Sequence, residues 1–179
     1  MFNNLNTLNS LIHESPEVAS KFLSLFSEVY RYSLQKRDAE VVTLENELAM
    51  LESYLFLLKK RFEDAFSVEI KLSKAVKTKY VPPMSLQLLV ENALKHNIAE
   101  PSQPLMIKII EQENNLVVIN NLQPRKEKKP STKIGLSNLT ERYRLLGQPL
   151  PQIEKTGEHF KISLPLLTVG EYEVVNYRR

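Results

Sequence analysis

Cysteine is absent from the 179 residues. That excludes disulfides, thiolate zinc centres and cysteine nucleophiles, and it suits a reducing compartment. Glycine is scarce, at four residues. None of them falls in a GxxxxGK[ST], GxGxxG or GxSxG pattern, so the standard P-loop, Rossmann and nucleophile-elbow signatures are missing. The histidines, His13, His96 and His159, lack the spacing of a zinc site. No apolar run approaches the ~18 residues of a membrane span. No charged, apolar and small-residue leader opens the chain either. Neither sign of charge dominates. The net value of +3 does not demand nucleic acid, and no aromatic-rich basic motif is present.

What is present is a chain that is 42% hydrophobic, enough to bury a core in one domain or two small ones. FNNLNTLNSLI, at the start, reads as helical and resembles the interior of a helix. A second helix follows in SPEVASKFLSLFSEVYRYSLQKR, where Ser15 can cap and Pro16 suits the first turn. Val18, Phe22, Leu25, Val29 and Tyr32 recur there at spacings of four and three. Another helix starts at Thr43, with Glu45 and Glu47 near its positive end. Leu44, Leu48, Leu51, Leu55, Leu58 and Phe62 repeat the same rhythm, a narrow heptad seam. Two such helices joined by Asp38 to Val42 predict an antiparallel hairpin. The regularity favours pairing of two hairpins as a dimeric four-helix bundle over packing on the rest of the chain.

Beyond Phe62 the period changes. Ser67 to Leu72 alternates as a half-buried strand does. Pro82 and Pro83 break the chain, and Ser85 can cap the helix LQLLVENALKHNI. Leu105 to Ile110 and Leu116 to Ile119 predict strands around the turn ENN. The basic segment QPRKEKKPSTK, Gln123 to Lys133, is a solvated loop or a polyanion-facing one. Leu136 to Leu146 predicts a helix that Gly147 ends. A last hairpin, Gln152 to Glu154 with His159 to Leu164, turns at Thr156-Gly157. The order β-α-β-β-loop-α-β-β predicts an α+β fold, with helices on one face of a mixed sheet behind an N-terminal helical hairpin. The expected division is 1–62, 63–167 and a C-terminal tail, 168–179.

The helix LQLLVENALKHNI carries unusual polar chemistry. Leu86, Leu89, Val90, Ala93 and Asn97 share one face. Asn92, Lys95 and His96 share another. Spacing alone leaves a plain reading open, in which Glu91 and Lys95 form a surface ion pair of ~0.3–0.5 kcal/mol.

VENALKHN resembles the N-box of the GHKL ATPases: gyrase, heat-shock chaperone, histidine kinase and MutL. FNNLNTLNSLI, VYRY, VTLENEL, YLFLLKKRF, VPPMSLQLLVENALKHN and IGLSNLTERYRLL follow one another as in the LytS-like sensor histidine kinases. The resemblance covers nearly the whole chain up to about Leu167. It implies ATP and Mg²⁺ as cofactors. Asn92 would hold the metal, Lys95 and His96 would meet phosphate, and Glu91 would polarise the attacking group. Such roles suit the chemistry: a hard cation takes oxygen ligands, and Lys and His supply donors for phosphoryl charge. Arg125, Lys126, Lys128, Lys129 and Lys133 become an ATP lid. The resemblance also implies a homodimer and a response regulator, of the LytTR DNA-binding kind in this family. The protein itself would make no direct nucleic-acid contact. The parent kinase would be held at the cytoplasmic side of the bacterial inner membrane by upstream segments, and this piece would be soluble.

The chain departs from the family in three places. Family members place the phosphoacceptor His three residues before the Phe matched by Phe2, so it would precede this chain, and His13 is out of register. Asn120 stands where the adenine-reading Asp would be, with Asn121 beside it and no glycine near. One glycine, Gly135, remains of the usual pair in Lys133-Ile134-Gly135-Leu136. Asn138 and Arg142 match positions in the same segment, Arg142 being equally a structural residue. These departures keep a second reading open: a nucleotide-binding-deficient pseudokinase acting as a dimeric scaffold.

Overall fold

The computed structural model describes residues 2–125 and 134–168. The expectations for Lys126, Lys128, Lys129 and Lys133, and for the tail past Thr168, lie outside the described residues. Helix α1 (Phe2–Glu14) runs almost without pause into α2 (Pro16–Gln35). Ser15 holds the N-cap position with an extended backbone, but its hydroxyl makes no capping bond. A two-residue strand β1 (Val42–Thr43) leads into α3 (Leu44–Phe62). Here a side-chain cap forms: Thr43 Oγ1 accepts a bond from the Asn46 N–H at 3.3 Å.

Phe22 of α2 is buried, and Val18, Leu25, Val29 and Tyr32 pack beside it on the core. From α3 they meet Leu44, Leu48, Leu51 and Leu58, all buried. The predicted seam is thus closed within this chain. One feature differs from expectation. Helix α3 buries Glu47, Met50, Tyr54 and Leu57 as well, a face wider than a heptad seam, because α3 packs on a later helix too. What stays exposed on α2 is a second stripe, Leu23, Tyr30 and Leu34, with Leu5 and Ile12 on α1.

The second half follows the predicted order. Strand β2 (Phe66–Lys71) is followed by β3 (Tyr80–Val81), α4 (Ser85–His96), β4 (Leu105–Gln112), β5 (Asn115–Asn121), α5 (Ile134–Leu145), β6 (Gln152–Lys155) and β7 (His159–Pro165). The sheet has five strands in the order β2-β4-β5-β7-β6. Strand β2 lies parallel to β4, and the other neighbours are antiparallel. This is the mixed sheet and α+β class that the sequence pattern predicts. Gly147 ends α5 in a left-handed conformation, φ 64°. Its N–H bonds Arg144 O and the Gln148 N–H bonds Tyr143 O, the double bond of a Schellman turn.

The short ladder of β1 with β3 was not foreseen. It joins Val42 to Val81, and Tyr80 also bridges Leu167. One hydrophobic core runs through helices and sheet alike, from Phe22 and Leu51 through Leu86 and Leu89 to Ile107, Leu116 and Leu164. Each such aliphatic side chain contributes about 1.5–3 kcal/mol when fully buried. Among the described residues, no helix is long and apolar enough to cross a membrane.

The start of α4 corrects an expectation. Ser85 does not cap it; the N-cap is Met84, in the left-handed region at φ 65° with no side-chain bond. Ser85 Oγ instead donates to Pro82 O at 2.6 Å. The cap comes from α3. Glu47 is fully buried, and its Oε1 accepts from the Met84 N–H at 2.8 Å while Oε2 accepts from the Leu86 N–H at 3.1 Å. Tyr32 of α2 adds its hydroxyl to Oε1 at 2.9 Å. Glu47 was expected to serve its own helix, but it points across to the positive end of another. Burial pushes its carboxyl above the usual range, while the Met84 and Leu86 N–H groups and the Tyr32 hydroxyl pull the other way. On the far side of the turn, Arg142 of α5 donates from Nη1 to Pro83 O at 2.8 Å. Arg142 is therefore accounted for as a structural clamp.

Glu47→Ala should cost about 2–4 kcal/mol, because it leaves buried N–H donors and a hydroxyl without an acceptor. Urea unfolding followed by circular dichroism measures this, and a change below about 1 kcal/mol contradicts the role given to Glu47.

Candidate functional site

Helix α4 sits on the sheet through Leu86, Leu89, Val90 and Ala93, all buried. Asn97 continues that face and is 3% exposed, as its helical position predicts. The opposite stripe is Leu88, Asn92, Lys95 and His96, spaced by a turn or two. Asn92 is half-buried, and Lys95 and His96 are exposed. Among the described residues, none of these three side chains has a recorded hydrogen bond or ion pair. Burial, and then the Lys95 charge beside it, push the His96 imidazole below its usual 6.5. His96 is therefore neutral at neutral pH, and Lys95 carries the charge.

The plain surface reading of Glu91 does not hold. Glu91 makes no ion pair with Lys95. Its Oε1 accepts from the Tyr54 hydroxyl of α3 and from Gln87 Nε2, both at 2.8 Å. Glu91 is thus tied to α3, while Lys95, one turn later, shares its side of α4, and Asn92 and His96 lie further round the helix.

Two anchors bracket the open stripe. At its C-terminal end, Asn97 Oδ1 accepts from the Gln123 N–H at 2.8 Å, and Asn97 O accepts from Arg125 Nε, also at 2.8 Å. The Arg125 N–H reaches His96 O. At the other end, α5 meets α4 through Gly135. A Cβ there would lie 2.7 Å from Leu88 Cδ1. The chain between these anchors is the basic stretch, residues 126–133. Leu88 to His96 spans about 12 Å of helix at 1.5 Å per residue, and Asn92 lies midway.

Other predicted residues have mixed placements. Asn120 is buried on the helix-facing side of the sheet, in register with Ile107 and Phe160. Its Nδ2 donates to Asn121 O at 2.7 Å, which leaves Oδ1 as its acceptor. Asn121 does not join the α4 stripe. Its side chain bonds the Met106 N–H and Pro104 O at the start of β4, because alternation turns it to the outer face of the sheet. Leu136 packs against the core, so its side chain serves packing. Asn138 is exposed on α5. Lys133 lies outside the described residues. Gly135 lies close against the Leu88 side chain of α4. Arg125, expected to hang over a polyanion, spends its Nε on Asn97 O.

An open cavity of about 400 Å³ lies away from this stripe. It lies on the outer face of the sheet between Met106, Lys108, Ile119, His159 and Lys161. Asn120 and Asn121 are among its lining residues, and Asn92, Lys95 and His96 are not. Sequence reasoning missed Glu47, Tyr54 and Gln123 as partners of α4. The one signal for Tyr54 was a hydroxyl-bearing ring among the apolar positions of α3.

Residues 1–66 match the histidine kinase family model. The chain is 33% identical over 114 residues to the sensor protein LytS of Staphylococcus haemolyticus, covering 64% of this chain and 20% of that one. It is 40% identical over 96 residues to the Bacillus cereus sensor protein LytS, covering 54% and 16%. The chain therefore spans about a fifth or less of the curated relatives it matches. Among solved structures, the Acinetobacter baumannii histidine kinase AdeS aligns over 89% of this chain and 84% of its own, with 14% identity and a TM-score of 0.47. The resemblance to LytS-like sensor histidine kinases read from the motifs is borne out.

Asn97→Ala should destabilise by about 1–3 kcal/mol, since the buried Gln123 N–H loses its acceptor. Amide exchange at Gln123 checks the cause: it should speed up in the variant far more than exchange in β4.

Proposed function

We propose that the chain is the core of an ATP-dependent protein histidine kinase, which binds Mg²⁺-ATP on the open stripe of α4. The observation that carries this is one of unspent donors. Asn92, Lys95 and His96 line one face with no partner among the described residues, between the two anchors of a lysine-rich segment. A purely structural helix surface does not need three such polar groups aligned on one side.

The donor set fits the metal. Magnesium prefers oxygen and keeps several waters, so one neutral Asn oxygen beside phosphate is a sufficient protein contribution. When bound, the ion neutralises charge on the phosphate oxygens. Lys95 supplies a fixed positive charge, and His96 a hydrogen-bond donor that becomes a cation as pH falls. Asn120 Oδ1 is the acceptor left for the amino group of the base. Glu91 takes the proton from one ring nitrogen of the receiving histidine as the other forms its bond to the γ-phosphorus. The bond from that phosphorus to the bridging oxygen breaks, and ADP leaves with the electron pair. The receiving histidine is placed on the helical segment ahead of Phe2, in a longer protein. From it the phosphoryl group passes to an aspartate of a response regulator, of the LytTR DNA-binding type.

In this reading residues 1–62 are the dimerisation and phosphotransfer remnant, and 63–167 the ATP-binding part, leaving 168–179 as a tail. A homodimer forms through the exposed stripe of Leu23, Tyr30 and Leu34. The parent sits at the cytoplasmic side of a membrane through its other segments. A second reading, a pseudokinase scaffold, has its own observation. Asn120 lacks the charge of the family's Asp, and Gly135 is the one glycine left of the usual pair.

Calorimetric titration with ADP, with and without Mg²⁺, separates the two. The kinase reading expects Mg²⁺-dependent binding that falls at least about tenfold in Asn92→Ala. Asn120→Asp should tighten it. No binding by the folded wild type favours the scaffold. The depressed imidazole of His96 adds a pH signature. Affinity should rise as pH falls through and below 6.5, because phosphate binding favours the protonated ring. His96→Gln should remove that rise.

A further inference from the structure

Glu91 is held by a residue that no part of the reading above uses. Tyr54 lies on α3, 37 positions away in sequence, and donates to Glu91 Oε1 at 2.8 Å. Its ring is 9% exposed and belongs to the core. Rigid packing of the ring fixes where the hydroxyl can be. Gln87, one turn before Glu91 on α4, donates to the same oxygen at 2.8 Å. A carboxylate has room for about four acceptor contacts. Among the described residues both donors converge on Oε1 and none bonds Oε2. The carboxylate of this exposed residue thereby has one oxygen engaged and the other open.

We infer that Tyr54 is a positioning residue for Glu91, fixing the carboxylate so that Oε2 is the open proton acceptor toward an incoming imidazole. This rests on the kinase reading. Burial, and then the Glu91 charge, push the Tyr54 phenol well above its ordinary range, so it remains a donor throughout the physiological pH range. Gln87 assists, and its own Oε1 is buried without a partner. The arrangement has a consequence for coupling. The group that orients Glu91 stands on the helix that packs against α1 and α2, not on the helix that carries Asn92. A shift of α3 against α4 would therefore misplace the proton acceptor while leaving the nucleotide contacts alone.

The test is Tyr54→Phe in the full-length parent, which keeps the ring and removes only the hydroxyl. Phosphorylation rate and ADP affinity are measured side by side with Glu91→Gln and the double variant. The expected result is a fall of about tenfold in the saturated rate, a modest share of what general bases contribute. ADP affinity should stay within about twofold, since Tyr54 touches no residue of the nucleotide stripe. In the double variant, Tyr54→Phe should add nothing to Glu91→Gln, because it acts through that carboxylate. A full rate in Tyr54→Phe, or an effect that multiplies that of Glu91→Gln, overturns the inference while the kinase reading stands. Failure of the unsubstituted parent to bind ADP overturns the kinase reading and this inference with it. Gln87→Met, which keeps volume and removes the second donor, should give a smaller loss in the same direction. A larger loss than that of Tyr54→Phe would move the positioning role to Gln87 and overturn the assignment to Tyr54.

Discussion

The fold turns on one buried carboxylate. Helix α4 begins after two prolines, at a left-handed Met84, with no side chain of its own available as a cap. Its first N–H groups would be buried and unpaired. Glu47 meets them from α3, and the positive end of the helix offsets part of the cost of burying the charge. Tyr32 ties α2 to the same carboxylate, and Arg142 holds the preceding carbonyl of Pro83 from α5. Four helices thereby agree on the position of one turn. Removing a member of such a network costs more than the bond it makes, because the remaining groups stay buried.

That turn fixes the orientation of α4, and α4 sorts the chemistry. Its apolar face lies on the sheet. Its Glu91 edge is latched to α3 through Tyr54. Its remaining stripe, with Asn92, Lys95 and His96, stays open. The chain returns to α4 at Gln123 and Arg125, then again at Gly135. Both ends of the basic segment are thus pinned to the same helix, one near His96 and one at Leu88. Those two attachment points lie on either side of Asn92 along the helix.

Some of the sequence signals turned out to have a different physical reason. Gly135 looked like a site for backbone approach to phosphate. The Leu88 side chain also lies where its Cβ would go, so the glycine eases the approach of α5 to α4. Arg142 lay in a family-like segment and proves to hold Pro83. Asn121 stood next to Asn120, yet strand alternation sends it to the opposite face. Ser85 preceded an apolar helix as a cap should, but its hydroxyl bonds back to Pro82. In each case the residue type was compatible with two local roles, and the tertiary neighbour chose between them.

The sequence by itself determined what depends on near neighbours. The three-four rhythm of α2 and α3, the alternation in β4, β5 and β7, the Thr43 cap and the Gly147 turn all arise from residues a few positions apart. Their signals survive in the linear string. The alignment of Asn92, Lys95 and His96 on one side of α4 follows for the same reason, since helical pitch alone sets it. Only the tertiary structure decided the pairings across long separations. Glu47 and Leu86 are 39 positions apart, Tyr54 and Glu91 are 37, and Arg142 and Pro83 are 59. No periodicity links such residues. Each pairing forms because the core brings two elements together and a buried donor must then find an acceptor, and that requirement exists only once the chain has folded.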